Sequence, residues 1–418
     1  MVYLITQAGE VSLLLFPCIY GNSDRILVWF FKQIVMSNFQ DTDNFQDIFI
    51  NDVPMMDVRA PVEFNNGAFP HTINVPLLDD KQREEVGKKY KDAGQDEAIA
   101  LGLKLSTPEM REQRLSNWKK FVQEHPEGYL YCFRGGLRSR TSQAWLKEQG
   151  IDYPLIKGGY KAMRTYLLQQ LEETVSTTPF VILSGLTGSG KTRVLKKTRY
   201  HVDLEGLADH KGSAFGRNVH DTQPTPINWE NQLSIACLQH RHQHPRAGIL
   251  LEDEGKLIGR LLIPPVFHQK MVVSPRIFLQ RPLEERIAII REDYFADNWP
   301  QYQQKYGAQA EQYFSEFLLG SLSRIQKRLG GERYRLIHAA FKKALTHLFE
   351  SGEFTLFDEG IHLLLMEYYD PMYQYQLEKK PRDVVFQGSE AEILEWTEEH
   401  LKTFSDQVNG ADHKMGLA

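Results

Sequence analysis

Apolar positions along this chain follow two periods that alternate. Short apolar runs at 55–58, 73–76 and 128–131 read as strands, whereas 107–122 sets Met110, Leu115, Trp118 and Val122 on one side at helical spacing. A second helix is predicted over 139–149, with Ala144, Trp145 and Leu146 to bury and Gly150 to stop it. The alternation resumes with apolar runs at 180–183 and 276–279 and a strand at 248–254 that ends in carboxylates. Pro282 then opens a helix whose Leu283, Ile287, Ile290 and Tyr294 share a face. Further on, Phe314, Leu318, Leu322, Ile325 and Leu329 line one helix and Tyr334, Ile337, Phe341, Leu345 and Leu348 the next, parted by Gly330-Gly331. Ser389-Glu390-Ala391-Glu392 reads as a capping box opening a last helix. Strands alternating with helices predict an α/β protein with parallel sheets, which place ligands at the carboxyl ends of their strands.

At 418 residues the chain exceeds one ordinary core, and about 150 residues per domain suggests two or three. The pattern divides it into a parallel-sheet domain over 45–172, a second α/β domain over 178–310, a mainly helical region over 311–404 and a disordered tail over 405–418. Residues 1–35 look foreign to the rest. Their apolar runs at 11–20 and 26–35 are too short to span a bilayer, and 1–10 lacks the Lys or Arg of a signal peptide. The polar stretch after Met36 marks that methionine as the expected start and 1–35 as a non-native or disordered extension.

Charged residues at 25% and hydrophobic ones at 42% fit a soluble globular protein with no membrane partner. The formal charge of -5 confines any nucleic-acid contact to local patches. Cys18, Cys132 and Cys237 are scattered and odd in number, which argues for a reducing, cytoplasmic setting.

Two anion-gripping loops carry the candidate chemistry. The first is Tyr131-Cys132-Phe133-Arg134-Gly135-Gly136-Leu137-Arg138-Ser139, just past a predicted strand. Its glycines let backbone N–H groups turn inward as an anion nest, the next helix points its positive end there, and Arg134 and Arg138 add charge. Such a setting favours a nucleophilic thiolate at Cys132. The second loop, Gly185-Leu186-Thr187-Gly188-Ser189-Gly190-Lys191-Thr192, is a full G-x-x-x-x-G-K-S/T phosphate loop between a predicted strand and helix. Gly185, Gly188, Ser189 and Gly190 would wrap a phosphate, Lys191 would reach it, and the Thr192 hydroxyl would face Mg²⁺. Glu252 and Asp253, at the end of the 248–254 strand, are candidate Mg-linked carboxylates. Arg281, Arg286 and Arg291 are candidates for phosphate contact, and the alternating His240, His242 and His244 read as a solvated basic turn, not a metal site. No resident cofactor or protein-held metal is expected beyond Mg²⁺ accompanying a diphosphate.

Asp57-Val58-Arg59 with Glu63, the run Gly67-Ala68-Phe69-Pro70-His71-Thr72-Ile73-Asn74-Val75-Pro76, and Cys132 with Arg138-Ser139 resemble the rhodanese family. That resemblance implies a persulfide or its selenium analogue on Cys132, with Arg138 closing the loop around the anion. Five residues separate Cys132 from Arg138, one more than in ordinary sulfurtransferases, which implies a bulkier donor than thiosulfate. The wider set Leu204-Glu205-Gly206-Leu207-Ala208-Asp209-His210-Lys211-Gly212-Ser213-Ala214-Phe215-Gly216, Glu252-Asp253-Glu254 with Ile258-Gly259, and Tyr368-Tyr369-Asp370-Pro371-Met372-Tyr373 resembles the bacterial tRNA 2-selenouridine synthases. This likeness spans about Met36 to Leu401. It implies a rhodanese-like domain fused to a P-loop NTPase-like domain. Its partners would be tRNA with 2-thiouridine at the wobble position, geranyl diphosphate for S-geranylation, and selenophosphate for the replacement of sulfur by selenium. Arg324, Lys327, Arg328, Arg333, Arg335, Lys342 and Lys343 would then offer the tRNA backbone a basic surface. The alternatives are a P-loop kinase or ATPase with a regulatory rhodanese-like domain, and an anion- or tRNA-binding module without chemistry.

Overall fold

The computed structural model describes residues 40–403, apart from 214, 218, 221, 222 and 380–382 and the side chains of 376–379. The expected extension at 1–35 and the tail at 405–418 lie outside the described residues. Two parallel sheets form the frame. The first has the order β2-β1-β3, from Met55–Asp57 (β1), Thr72–Asn74 (β2) and Tyr129–Tyr131 (β3). All three residues of β1 are buried, because a central parallel strand is covered on both faces. The Pro108–Glu124 and Leu137–Glu148 helices bury Leu115, Trp118, Val122, Trp145 and Leu146 against this sheet, as their spacing predicts, and Phe121 joins them, whereas Ala144 is exposed. The Asp80–Leu105 helix, kinked at Gly94 (φ 85°), was not anticipated, since its polar composition carries no clear period.

The second sheet has the order β5-β4-β8-β9, from Phe180–Ser184 (β4), Ile249–Glu252 (β5), Arg276–Leu279 (β8) and Val384–Gly388 (β9); a two-stranded ribbon, Leu257–Ile258 (β6) and Leu261–Leu262 (β7), follows β5. Every residue of β4 and β5 is buried. The arrival of β9 corrects the boundary drawn at 310/311. Residues 283–379 are a helical insertion between two paired strands, and the chain returns to complete the sheet edge. The insertion has its own aromatic core of Phe295, Phe314, Phe341 and Phe357, and its helices bury the two faces that the sequence predicts.

The two frames meet through the Gly159–Thr177 and Pro226–Gln243 helices, with Met163, Leu167, Ile235 and Leu238 in one core. The second helix is buried almost all round, as a helix pinned between two bodies must be. Buried Asn231 anchors the junction: its amide donates to the Ala68 carbonyl at 2.8 Å and its oxygen accepts from Arg164 at 2.8 Å. Asn231→Ala should lower unfolding stability by about 1–3 kcal/mol, because it leaves the Ala68 carbonyl buried without that donor. Urea denaturation checks this; an unchanged midpoint would show that the junction contributes nothing to folding.

Candidate active site

Glycine geometry builds the phosphate loop. Gly188 and Gly190 sit at φ 80° and 76°, where a side chain would be strained, and a Cβ on Gly188 would come within 2.5 Å of Ile290. A Cβ on Gly185 would lie 2.7 Å from the Ser189 hydroxyl. The loop leaves β4 and enters the Lys191–Leu195 helix, with Lys191 Nζ resting 3.2 Å from the Gly185 carbonyl. Ser189 is fully buried and its Oγ has no partner. The strand, loop and helix stand in the order the motif requires, and Gly185, Thr187, Gly188, Gly190, Lys191 and Thr192 line one cavity of about 360 Å³.

Carboxylates form the opposite wall of that cavity. Glu205, Glu252 and Glu254 bring oxygens within 4.8 Å of one another. Thr192 Oγ1 lies 3.4 Å from Glu205, which also accepts from the Gly212 backbone N–H. A Cβ on Gly212 would sit 2.7 Å from the Glu254 carboxylate, so this segment lies close over the acids. Glu252 is 2% exposed and its Oε1 has no partner. Burial, then the charge of Glu205, pushes Glu252 up to about 8, and burial likewise raises Glu205 and Glu254.

The structure enlarges the acidic group that the sequence picked out. Glu252 belongs to the acidic group, but Asp253, although it lines the cavity, accepts from Ser184 at 2.8 Å, and the acids that join Glu252 are Glu205 and Glu254. Sequence reasoning missed both, though each stood in a segment quoted for the family likeness. The arginines after β8 are also reassigned: Arg281 pairs with Glu285 and Glu390, Arg286 with Asp370, and Arg291 with Asp358. They brace the fold, with no guanidinium left over for a phosphate. His240 is buried, not solvated; it is bonded to the Gly248 carbonyl at 3.1 Å, and burial lowers it to about 4.

An apolar wall completes the cavity. Ile289, Ile290, Tyr294, Tyr369 and Met372 face the loop, and Ile290, Tyr294 and Tyr369 lead on to a recess of about 30 Å³ lined by Phe295, Phe341 and Leu365. Arg286 ties this wall to the loop, donating to the Thr187 carbonyl at 2.9 Å and to both oxygens of Asp370 at 2.9 and 2.6 Å.

The thiol loop is a separate, tighter structure. Cys132 is 3% exposed, and its sulfur lies 3.3 Å from the Ser139 hydroxyl, which donates to the Gly136 carbonyl at 3.0 Å. Gly135, at φ 61°, packs on Gly158-Gly159, and a Cβ on Gly159 would lie 2.2 Å from the Cys132 carbonyl. Tyr160 and Lys161 donate backbone N–H groups to the Cys132 and Phe133 carbonyls, both at 2.9 Å. Arg138 is held by Glu63 at 2.5 and 3.1 Å rather than left free for an anion, and Arg134 lies over the Phe133 ring. Burial pushes Glu63 up, but Arg138 and Arg83 outweigh it and hold the carboxyl below its ordinary range.

A parallel sheet, a complete glycine-lysine loop at the end of β4 and acids at the end of β5 define a P-loop α/β protein. Residues 178–404 match the tRNA 2-selenouridine synthase AAA domain family. The tRNA 2-selenouridine synthase of Marinobacter nauticus is 48% identical over 371 residues, covering 88% of this chain and 100% of that relative. Those of Shewanella woodyi and Alcanivorax borkumensis are each 45% identical, covering 85% and 84% of this chain and 96% and 97% of theirs. The chain belongs to the tRNA 2-selenouridine synthase family. Among the described residues, no helix is long and apolar enough to cross a membrane.

The raised Glu252 gives a pH prediction. The folded protein keeps a proton there that the unfolded chain releases near 4.5, so this group's contribution to stability falls as pH rises from about 4.5 to about 8. In magnesium-free buffer, Glu252→Gln should match the parent near pH 5 and exceed it near pH 8 by about 2 kcal/mol or more. Urea titrations at both pH values check this, and parallel profiles would contradict it.

Proposed function

We propose that this protein converts 2-thiouridine at the wobble position of tRNA to 2-selenouridine through an S-geranyl intermediate, with geranyl diphosphate and selenophosphate as co-substrates. The names of the relatives support the overall conversion. One observation carries the geranyl step: the phosphate-loop cavity joins an anion cradle to an apolar wall with aromatic residues that runs on into an apolar recess. That shape suits a diphosphate with an apolar tail, whose end would reach the recess while the chain lies along Ile290, Tyr294 and Tyr369.

In the first step the thiocarbonyl sulfur attacks C1 of the geranyl group. The C–S bond forms, the C–O bond breaks, the diphosphate leaves with the electron pair, and the N3 proton of the base passes to solvent. Lys191 and the loop N–H groups face the charge that grows on the leaving group. Ser189, Lys191 and the acidic wall fit a Mg²⁺-diphosphate, since a diphosphate beside three carboxylates needs balancing positive charge, and the Glu252 oxygen without a partner is a ready ligand. Thr192, Glu205, Glu252 and Glu254 would hold that ion, which when bound supplies charge neutralisation.

Geranylation makes sulfur a better leaving group. The selenium of selenophosphate then attacks C2 of the base, geranylthiolate departs with the C–S bonding pair and is protonated to the thiol, and water cleaves the P–Se bond, which releases phosphate and leaves 2-selenouridine with its N3 proton restored. Cys132, in its glycine nest with Ser139, is the chalcogen-handling thiol of this second step. The buried sulfur suits a small anion that is kept away from water.

Nucleoside mass spectrometry tests both assignments. Lys191→Ala should slow geranylation about a hundred- to a thousand-fold, equivalent to about 2.7–4 kcal/mol, yet still convert pre-geranylated tRNA. Cys132→Ser should geranylate normally and form no 2-selenouridine. Normal geranylation by Lys191→Ala would mean that the loop holds another ligand. Strong ATP hydrolysis independent of Cys132 would favour the kinase or ATPase alternative.

A further inference from the structure

The thiol loop borders a groove of about 430 Å³. Its floor is one face of the Gly159–Thr177 helix, where Lys161, Thr165 and Gln169 recur four residues apart beside Tyr166. Phe45 joins from the Phe45–Ile50 helix, and Arg134 from the thiol loop, two residues beyond Cys132. Groove and loop are tied through the backbone, because the Lys161 N–H donates to the Phe133 carbonyl at 2.9 Å.

Charge and aromatic surface are sorted along this groove. Arg134 and Lys161, both exposed, stand at the thiol-loop end, and the described lining holds no carboxylate. Arg134 lies over the Phe133 ring, 5.9 Å from its centre, which leaves the N–H rim of its guanidinium for an acceptor. Among the described residues, neither cation is in an ion pair. Tyr166 follows five residues after Lys161, about 7–8 Å along the helix. It stacks with Phe49 (centroids 6.5 Å apart, planes 10° apart) and meets Phe45 at 5.7 Å, so the two half-buried rings that line the groove are held in place. Gln169 adds an amide that both donates and accepts. Cations at one end and aromatic rings one nucleotide's reach away are the parts from which single-stranded nucleic-acid sites are built.

We propose that the groove formed by Phe45, Arg134, Lys161 and Tyr166 binds a nucleotide of the single-stranded anticodon loop next to the wobble position, with its phosphate between the two cations and its base on the rings, and so delivers the wobble base to the thiol loop. This inference rests on the function proposed above and adds the place where the acceptor strand is held for the second step. A free nucleotide fits less well, because its phosphates would find a fuller cradle in the phosphate loop. A plain small anion would leave the aromatic rings unused. Holding the strand one nucleotide from the reacting base fixes that base relative to the thiol, and an enzyme gains rate by such orientation.

The test measures binding of an anticodon stem-loop RNA with a wobble 2-thiouridine to the full chain across a salt series, with AMP and a polyglutamate peptide measured alongside. Lys161→Ala should weaken RNA binding about fivefold or more and reduce the slope of log affinity against log salt by about 0.7, and Lys161→Arg should restore both. Tyr166→Leu and Phe45→Leu, which keep an apolar side chain against the core beneath, should each weaken RNA binding about fivefold or more with the slope unchanged. Two aromatic variants keep the test decisive where one of them fails to fold. AMP and polyglutamate should bind every variant as they bind the parent. Unaltered RNA affinity in the alanine and leucine variants, with the parent binding the RNA, would overturn the groove assignment and leave the proposed function standing. A loss in Lys161→Ala alone would mean a charge contact without stacking and overturn the nucleotide site. Weakened AMP binding with RNA binding intact would assign the groove to a free nucleotide, and the same result with polyglutamate would assign it to an acidic protein; either overturns the proposal. A parent protein that does not bind the RNA would overturn both the groove and the proposed function.

Discussion

The guanidinium of Arg286 ties two parts of this molecule together, and Arg193 of the loop helix supports the link by pairing with Glu292 and Asp293. One side holds the phosphate loop through the Thr187 carbonyl, and the other holds the helical insertion through both oxygens of Asp370. The group is nearly fully buried, so its charge persists only because these partners satisfy it. That link sets the aromatic wall around Tyr294 and Tyr369 against the loop, so that the polar and apolar halves form one cavity. An ordinary phosphate loop gains an apolar wall because the insertion is anchored to it.

The two anion sites use glycine for opposite ends. In the phosphate loop, Gly188 and Gly190 bend the backbone around open space that a ligand fills. In the thiol loop, Gly135, Gly158 and Gly159 remove side chains so that two backbone segments touch, which leaves Cys132 deep and enclosed. Openness suits a large leaving group and a growing charge; enclosure suits a small reactive anion. The shared helical junction keeps both loops on one body.

Most elements near the chemistry were legible because local signals agreed. Strand β4, the loop glycines and the start of the next helix lie consecutively, and Trp118 and Trp145 fell on the helix faces that their spacing predicts. What could not be read depended on distant closure. β9 is a short strand whose Val384 and Val385 are exposed, and only its pairing with β8 reveals it. Glu205 and Glu254 look like surface acids until the Gly212 segment folds over them. The arginines after β8 look available until Asp358 and Asp370 arrive from the end of the insertion and Glu390 from the helix after β9. Charge alone in a sequence does not reveal its partner.

The central claim is that the phosphate-loop cavity recognises a diphosphate by its apolar tail as well as by its charge. Calorimetric titration of the full chain with geranyl diphosphate, inorganic diphosphate and ATP, each with Mg²⁺, tests it directly. Burial of apolar surface is worth about 25 cal/mol per Å², so even part of the tail on the aromatic wall should tighten binding about tenfold or more over inorganic diphosphate. A negative heat-capacity change should accompany that gain. Geranyl diphosphate binding no tighter than inorganic diphosphate, or ATP binding tightest of the three, would contradict the account.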